Sequence, residues 1–325
     1  VYDVAFSHDR RLLATGLFDG TARLLETGTG KELARLIHDG VVWKVVFSRD
    51  GHLLATCSDD KTARLFEVAT GKELARLSHD NAVVAVAFSP DGRLLASGSE
   101  DKTARLFETK TGKEVARLVH NGLVATVSFS PDGTYLASGS MDKTARLFEA
   151  TKSQELERLT HDDSVRAVAF SPHGQLLATG SADKTARVFE AATGKELARL
   201  THDDEVVAVA FSPNGRLLAT VSADKTARLF ETATGKELAR LIHGNVVVAV
   251  AFSPDGLLLA TGSYDNTARL FETATGREVA RLVHDGSVWK VAFSPDGRLL
   301  ATGSGDKTAR LFETATGKEV ARLAH

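Results

Sequence analysis

Eight histidines recur at one spacing of 41 residues, and imidazoles that recur so regularly could ligate a metal or act as general bases. They are His38, His79, His120, His161, His202, His243, His284 and His325. A metal site needs ligands that converge within about 2–2.5 Å of one ion. Histidines in eight separate copies of one unit do not converge in this way. We therefore expect no metal or cofactor and interpret the histidines as structural.

Other residues that could take part in catalysis do not assemble into a catalytic site either. The Thr-Gly-Lys-Glu turns lack the second glycine and the helix of a phosphate-binding loop. Cys57 replaces a glycine of the repeat and is expected to be a small buried residue. His8, His52 and His173 lie at turns and are expected to face solvent. The sequence thus predicts a protein that is not an enzyme.

The whole chain is built from this repeat. Its 325 residues make eight copies of a 41-residue unit, the first without its opening three residues. A hydrophobic content of 43% and a charged content of 25% are typical of a soluble globular protein. The net charge of −2 gives no reason to expect a nucleic acid or membrane partner, and the single cysteine is compatible with a cytoplasmic location.

Each unit shows strands rather than helices. In the third unit, apolar segments at about 83–89, 94–99, 103–108 and 114–118 alternate with turn signals such as Pro90-Asp91-Gly92. The connections are too short for parallel strands, and ring closure would hide sheet edges that a solenoid leaves open. We predict an all-β fold, one closed eight-bladed β-propeller domain over 1–325 with four antiparallel strands per blade. The expected blades are about 1–38, 39–79, 80–120, 121–161, 162–202, 203–243, 244–284 and 285–325.

The repeated string Val-x-x-Val-x-Phe-Ser-Pro-Asp-Gly, followed by Leu-Ala-Ser-Gly-Ser-x-Asp-Lys-Thr, a Thr-Gly-Lys turn and the histidine, resembles the WD-repeat β-propeller family. The resemblance covers all eight units, and repeats so similar to one another resemble recently amplified bacterial propellers. Two positions depart from the family pattern. The tryptophan of the third strand is Phe or Leu25, and the glycine before the histidine is replaced in every unit.

The resemblance implies a buried network in each blade. It would join the histidine to an aspartate of the turn between strands two and three and to a Ser or Thr of strand two. The matching residues are His38, Asp60 and Thr56 in blade 2, and His79, Asp101 and Ser97 in blade 3. Because Phe cannot donate the hydrogen bond of an indole, the network should be a triad.

Ring closure follows from the same correspondence. The histidine that ends one unit serves the aspartate of the next, so Asp19 in blade 1 is expected to contact His325. The remaining charged columns are interpreted as surface. Arg105, Glu108, Glu114 and Arg117 should form an exposed cross-strand ladder at the outer rim, which contributes solubility and edge protection.

Two columns vary between copies, and the resemblance assigns both to the top face around the central channel. These columns carry Tyr2, Phe18, Trp43, Tyr264 and Trp289 on blades 7, 8, 1 and 2. Lys44 and Lys290 follow the tryptophans, Asp59 and Glu100 lie at one edge, and Arg166 stands alone on the far side, where nearby acids should pair with it. Aromatic rings with charges around them are typical of a protein interface, although the tryptophans could also simply fill the channel mouth.

Two functions therefore stay open. The first is a non-enzymatic platform that binds a protein or peptide on its top face, as a monomeric ring. Such a ring could be the sensor or scaffold part of a larger bacterial signalling protein, because the chain starts abruptly at Val1. The second is a symmetric structural or designed repeat scaffold with no natural ligand.

Overall fold

The first strand of each blade is short and apolar, and it lies nearest the ring axis. In the computed structural model, which describes residues 1–152 and 154–324, these innermost strands are β1 Asp3–Phe6, β5 Val42–Phe47, β9 Val83–Phe88, β13 Val124–Phe129, β17 Val165–Phe170, β21 Val206–Phe211, β25 Val247–Phe252 and β29 Val288–Phe293.

The second and third strands form the middle of each blade and are almost fully buried. The second strands are β2 Leu12–Gly16, β6 Leu53–Ser58, β10 Leu94–Ser99, β14 Tyr135–Ser140, β18 Leu176–Ser181, β22 Leu217–Ser222, β26 Leu258–Ser263 and β30 Leu299–Ser304. The third strands are β3 Thr21–Glu26, β7 Thr62–Glu67, β11 Thr103–Glu108, β15 Thr144–Glu149, β19 Thr185–Glu190, β23 Thr226–Glu231, β27 Thr267–Glu272 and β31 Thr308–Glu313.

The fourth strand is the outer edge of each blade and alternates exposed with half-buried residues. These strands are β4 Glu32–Ile37, β8 Glu73–Ser78, β12 Glu114–Val119, β16 Gln154–Thr160, β20 Glu196–Thr201, β24 Glu237–Ile242, β28 Glu278–Val283 and β32 Glu319–Ala324. Within each blade the strands pair antiparallel in sequence order. The predicted all-β, eight-bladed propeller with four antiparallel strands per blade is confirmed.

Serine and aspartate side chains fix the tight turns between first and second strands. Ser89 Oγ donates to Asp91 Oδ1 at 2.6 Å, and the same oxygen accepts the backbone N–H of Arg93 at 3.0 Å. Gly92 between them has a φ of 71°, which a residue without Cβ adopts at no steric cost. Local chemistry therefore sets each hairpin register independently.

The hydrophobic core is a series of layers between neighbouring blades. Leu24 and Leu36 of blade 1 pack against Val45, Leu54 and Phe66 of blade 2, and equivalent clusters follow around the ring. The backbones approach closely here. A Cβ built on Gly98 would lie 2.9 Å from the carbonyl oxygen of Val124 in the next blade, so this second-strand column favours glycine.

Blades 8 and 1 close the ring through the same layer. Val4, Leu13 and Leu25 cluster with Leu311 and Leu323. The same backbone hydrogen bond joins neighbouring blades here as between blades 1 and 2. Val42 N donates to Leu17 O at 2.9 Å, and at the closure the Val1 ammonium donates to Ser304 O at 2.7 Å. At the rim, Arg10 pairs with Asp296 at 2.8 Å. No strand is exchanged between the two blades in the described parts of the chain.

Residues 1–152 and 154–324 contain no helix that is long and apolar enough to cross a bilayer.

If the ring is closed, a cavity should lower the free energy of unfolding by the same amount at every blade interface. Leu311 between blades 8 and 1 and Leu229 between blades 6 and 7 are both 0% exposed. We expect L311A and L229A each to lower the free energy of unfolding by about 2–5 kcal/mol in urea denaturation, because each leaves a cavity in a close-packed layer. A negligible loss for L311A beside a normal loss for L229A would mean that the ring is open.

Candidate functional site

Five aromatic side chains form one continuous row on the face of the ring where the first strands begin. We call this face, which also carries the turns between second and third strands, the top face. Ring centroids are 5.0 Å apart for Tyr264 and Trp289, 5.5 Å for Trp289 and Tyr2, 4.6 Å for Tyr2 and Trp43, and 6.2 Å for Tyr2 and Phe18. We call these residues the aromatic patch. The structure brings together all the aromatic residues singled out in the two variable columns.

A β-bulge brings the tryptophans into this row. The pairing of β5 with β6 skips Trp43, and the pairing of β29 with β30 skips Trp289, so each tryptophan is the extra residue of a bulge. A bulge re-aims the side chains next to it and is a common way of shaping a site. The variable column of the first strands therefore faces the channel mouth.

Each tryptophan also rests on the turn of its own blade. Trp43 Nε1 donates to Asp59 Oδ1. A Cβ at Gly305 would lie 3.0 Å from Trp289 Nε1, so the turn beside Trp289 favours glycine. Both tryptophans are partly buried, whereas Phe18 is 72% exposed. The patch thus combines supported rings with one freely presented ring.

Below the patch, three charged residues line the channel in neighbouring blades. Lys290 Nζ lies 3.2 Å from Asp3 Oδ1, and the other carboxylate oxygen of Asp3 accepts the backbone N–H of Val45 at 2.9 Å. Lys44 lines the same cavity. Burial first, and then the neighbouring Lys290, lower the pKa of Lys44, while Asp3 acts in the opposite direction.

Two further predicted surface residues lie apart from the patch. Glu100 is exposed on the turn after β10. Arg166 donates to Glu205 Oε2 at 3.3 Å, which is the expected pairing with nearby acids. Arg166 Nε is nevertheless buried without a hydrogen-bond partner in the described structure.

Beneath the top face, each of blades 2 to 8 contains a buried polar network. In blade 2, His38 Nδ1 lies 2.8 Å from Asp60 Oδ2 and Nε2 lies 2.7 Å from Thr56 Oγ1. In blade 3, His79 lies 2.8 Å from Asp101 and 2.7 Å from Ser97. A carboxylate only accepts, so Nδ1 donates to it and the hydroxyl donates to Nε2 of a neutral ring.

The triad expected from sequence is too small, because an arginine and a threonine complete the network. Arg64 Nη2 lies 2.5 Å from Asp60 Oδ2, and Arg64 Nε donates to Thr62 Oγ1, which in turn donates to Asp60 Oδ1 at 2.6 Å. The same arginine column recurs in the other blades from 3 to 8, at Asp separations of 2.6–2.9 Å: Arg105, Arg146, Arg187, Arg228, Arg269 and Arg310.

The predicted exposed cross-strand ladder is therefore wrong for the third strand. Arg105 is 5% exposed, because alternation along β11 puts it on the same side as Thr103, toward the histidine and aspartate. It lies opposite Arg117 in the pairing of β11 with β12, and its cross-strand acidic neighbour is Glu114, 3.5 Å away. Arg117 instead pairs with Glu114 of its own strand at 2.8 Å.

The aspartate carries the charge in this network and the histidine does not. Burial disfavours the ionised form of Asp60, but hydrogen bonds from Thr62 and His38 outweigh it and hold the pKa of Asp60 at about 2. Burial lowers the pKa of His243 to about 4, and the nearby Arg269 charge acts in the same direction. Because the arginine already neutralises the carboxylate, the imidazole needs no charge of its own.

Blade 1 differs from the other seven. Asp19 has a 48% exposed side chain and lies 3.4 Å from Arg23. Thr15 Oγ1 and Arg23 Nε are buried without hydrogen-bond partners in the described structure. The expected contact of Asp19 with His325 lies outside the described residues and stays a proposal.

Cys57 and the three turn histidines, whose side chains could in principle react, take no part in a site. Burial raises the pKa of the Cys57 thiol, which is the wrong direction for a nucleophile. His8, His52 and His173 are exposed at turns. Among the described residues, no group of three or more His, Cys, Asp or Glu side chains could hold a metal ion.

Sequence reasoning missed two residues of these sites. The buried role of the third-strand arginine had a signal, since every copy places it four residues after the turn aspartate. The role of Asp3 also had a signal in the sequence, because its column holds Lys44, Lys290 and otherwise only Ala or Thr. Both signals are charges in strands that are otherwise apolar.

The network predicts a large cost for removing its carboxylate. We expect D224A in blade 6 to lower the free energy of unfolding by about 3–5 kcal/mol, because Arg228 and His202 then lose their buried partner.

For blade 1 we propose that His325 pairs with Asp19. The effects of D19A and H325A on unfolding should then be non-additive in a double-mutant cycle. Additive effects would exclude that contact. The control is the cycle of H202A with D19A, whose residues lie in different parts of the ring and should have additive effects.

The network also predicts loss of stability in acid. A histidine whose pKa falls from 6.5 in the unfolded chain to about 4 in the folded chain, as for His120, His243 and His284, makes the unfolded state bind more protons between those values. The free energy of unfolding should therefore fall as pH drops from 6.5 toward 4. It should fall further below 3.8 as carboxylates such as Asp60 become protonated. Urea unfolding that is independent of pH between 7 and 5 would contradict the neutral histidines.

Comparisons with known proteins agree with this architecture. A family model described as "WD domain, G-beta repeat" matches residues 1–25, 30–67, 71–108 and 112–149. A second model, described as "IFT122 first beta-propeller", matches residues 141–325. A search of curated proteins finds no match.

Among solved structures, the chain is similar to the computationally designed Ika8 protein, known from a crystal structure. The two share 26% sequence identity over 95% of each chain, with a TM-score of 0.86. Repeat motifs, fold and family models thus agree, and the chain belongs to the WD40-repeat β-propeller family.

Proposed function

We propose that the chain is a non-catalytic structural scaffold, a symmetric repeat ring whose role is to hold its own shape. The observation that carries this proposal is the repetition of one buried network. The Asp–Arg separation varies only from 2.5 to 2.9 Å over blades 2 to 8.

Likeness to Ika8 supports the same proposal. Ika8 is a computationally designed protein, and this chain covers it almost completely. A structural scaffold needs a stable ring. Here the same kind of apolar layer fills each blade interface, so the stability is spread over equivalent interfaces. The absence of catalytic chemistry in the described residues is compatible with this role.

A second candidate is partner binding, and the aromatic patch is the observation that favours it. WD40 domains generally mediate protein interactions. Phe18 is 72% exposed and stands beside Tyr2, whereas none of the equivalent positions in blades 3 to 6 is aromatic. Rigid aromatic rings are the usual anchors of protein interfaces. In this role the ring would bind a protein or peptide as a monomer, in the cytoplasm, with a place in a larger bacterial signalling protein.

Affinity capture with matched variants separates the two functions. Wild-type ring, W43A/W289A and V207A/V248A are immobilised and exposed to bacterial extracts. The last variant changes the same column at two aliphatic positions. The scaffold proposal predicts no protein that the wild type enriches over W43A/W289A. The melting temperature of W43A/W289A should stay close to that of the wild type, because both tryptophans are only partly buried and lie at the edge of the core.

A protein retained by the wild type and by V207A/V248A, lost with W43A/W289A and bound in calorimetry when purified, would contradict the scaffold proposal and support partner binding. A large fall in the melting temperature of W43A/W289A would instead show that the tryptophans fill the channel mouth structurally.

A further inference from the structure

Lys44 is the one lysine of the channel wall whose ammonium nitrogen makes no hydrogen bond or ion pair with any described residue. Its counterpart Lys290, in the same column two blades away, is paired with Asp3 at 3.2 Å. The second carboxylate oxygen of Asp3 is also engaged, by the backbone N–H of Val45. Asp3 is therefore paired with Lys290, and it favours the charged form of Lys44 only without direct contact.

Apart from Asp3 and Lys290, the channel wall beside Lys44 is formed mainly by small or apolar residues. Its column continues with Ala85, Thr126, Ala167, Ala208 and Ala249 around the channel. The cavity that it lines has a volume of about 580 Å³ and is also lined by Tyr2, Trp43 and Trp289. A second cavity, lined by Val46, Val86 and Val127, reaches Lys44 as well. A small molecule can thus approach the amine from within the channel.

Such surroundings favour an unprotonated amine. Burial opposes the charged form, and the nearby positive charge of Lys290 adds to it, so the pKa of Lys44 is lowered. Lysines that are desolvated or placed next to another cation are the ones that act as nucleophiles toward carbonyl compounds. The exposed lysines of the turns have neither feature.

We propose that Lys44 is a covalent site for carbonyl compounds, and that it forms an imine with small aromatic aldehydes. The Nζ lone pair attacks the carbonyl carbon, and a proton passes through water from nitrogen to oxygen to give a carbinolamine. Loss of that hydroxyl as water then leaves the C=N bond, with no oxidant or reductant needed. The site is independent of the scaffold proposed above.

The aromatic patch gives this site its preference among aldehydes. Tyr2, Trp43 and Trp289 flank the route from the top face to Lys44, with Tyr2 and Trp43 centroids 4.6 Å apart. Aromatic rings gain from edge and offset contacts with one another beyond the area that they bury. An aromatic aldehyde is therefore held near the amine, whereas acetaldehyde is not.

Reductive trapping tests the site on the intact chain. The ring is incubated at neutral pH with benzaldehyde and cyanoborohydride, which reduces each imine to a stable amine, and peptide mass spectrometry gives the labelling rate of every lysine. We expect Lys44 to be labelled about tenfold faster than the exposed lysines, because a lowered pKa leaves a larger fraction of the amine unprotonated at neutral pH. Acetaldehyde should show a smaller preference for Lys44.

Matched variants test the cause. K290Q should slow labelling of Lys44, because it removes the neighbouring charge and frees Asp3 to pair with Lys44. K236Q, an exposed turn lysine, should leave the rate unchanged. Labelling of Lys44 no faster than of the exposed lysines would overturn the proposal, and that result needs only the wild-type chain. An unchanged Lys44 rate in K290Q would overturn the part assigned to Lys290.

Discussion

The buried ion pair between the turn aspartate and the third-strand arginine is the interaction on which each blade depends. Asp60 and Arg64 are both nearly fully buried, and removing either one would leave a charge in the interior. The pair fixes the turn between strands two and three, and through His38 it ties that turn to the end of the preceding blade. One carboxylate thus joins local hairpin geometry to the assembly of the ring.

Arginine also accounts for the missing indole of the family pattern. Phe66 contributes only a ring edge to His38, with centroids 6.5 Å apart, and cannot donate a hydrogen bond. Arg64 supplies donors to Asp60, to Thr62 and to the carbonyl oxygen of Ile37. The network of blade 2 therefore stays satisfied although the tryptophan is absent, and His38 is left neutral between a carboxylate and a hydroxyl.

Most of the fold could be predicted from sequence because its determinants are local. Alternation, Pro-Asp-Gly turns and the fixed period define each blade, and the predicted second and third strands of blade 3 coincide with β10 and β11. The aromatic patch could be predicted too, since the copies differ there. The side to which Arg105 points could not, because alternation gives two faces without saying which one is buried. The role of Asp3 could not be predicted either, because alternation does not show that its column lines the channel.

Protonation of the buried histidines tests the central claim, that arginine and not histidine balances the buried aspartate. Nitrogen-15 NMR of the imidazoles at neutral pH distinguishes a neutral ring protonated on Nδ1 from a charged ring protonated on both nitrogens. The account predicts neutral Nδ1–H rings for His38, His79, His120, His161, His202, His243 and His284. Charged rings at these positions would contradict it.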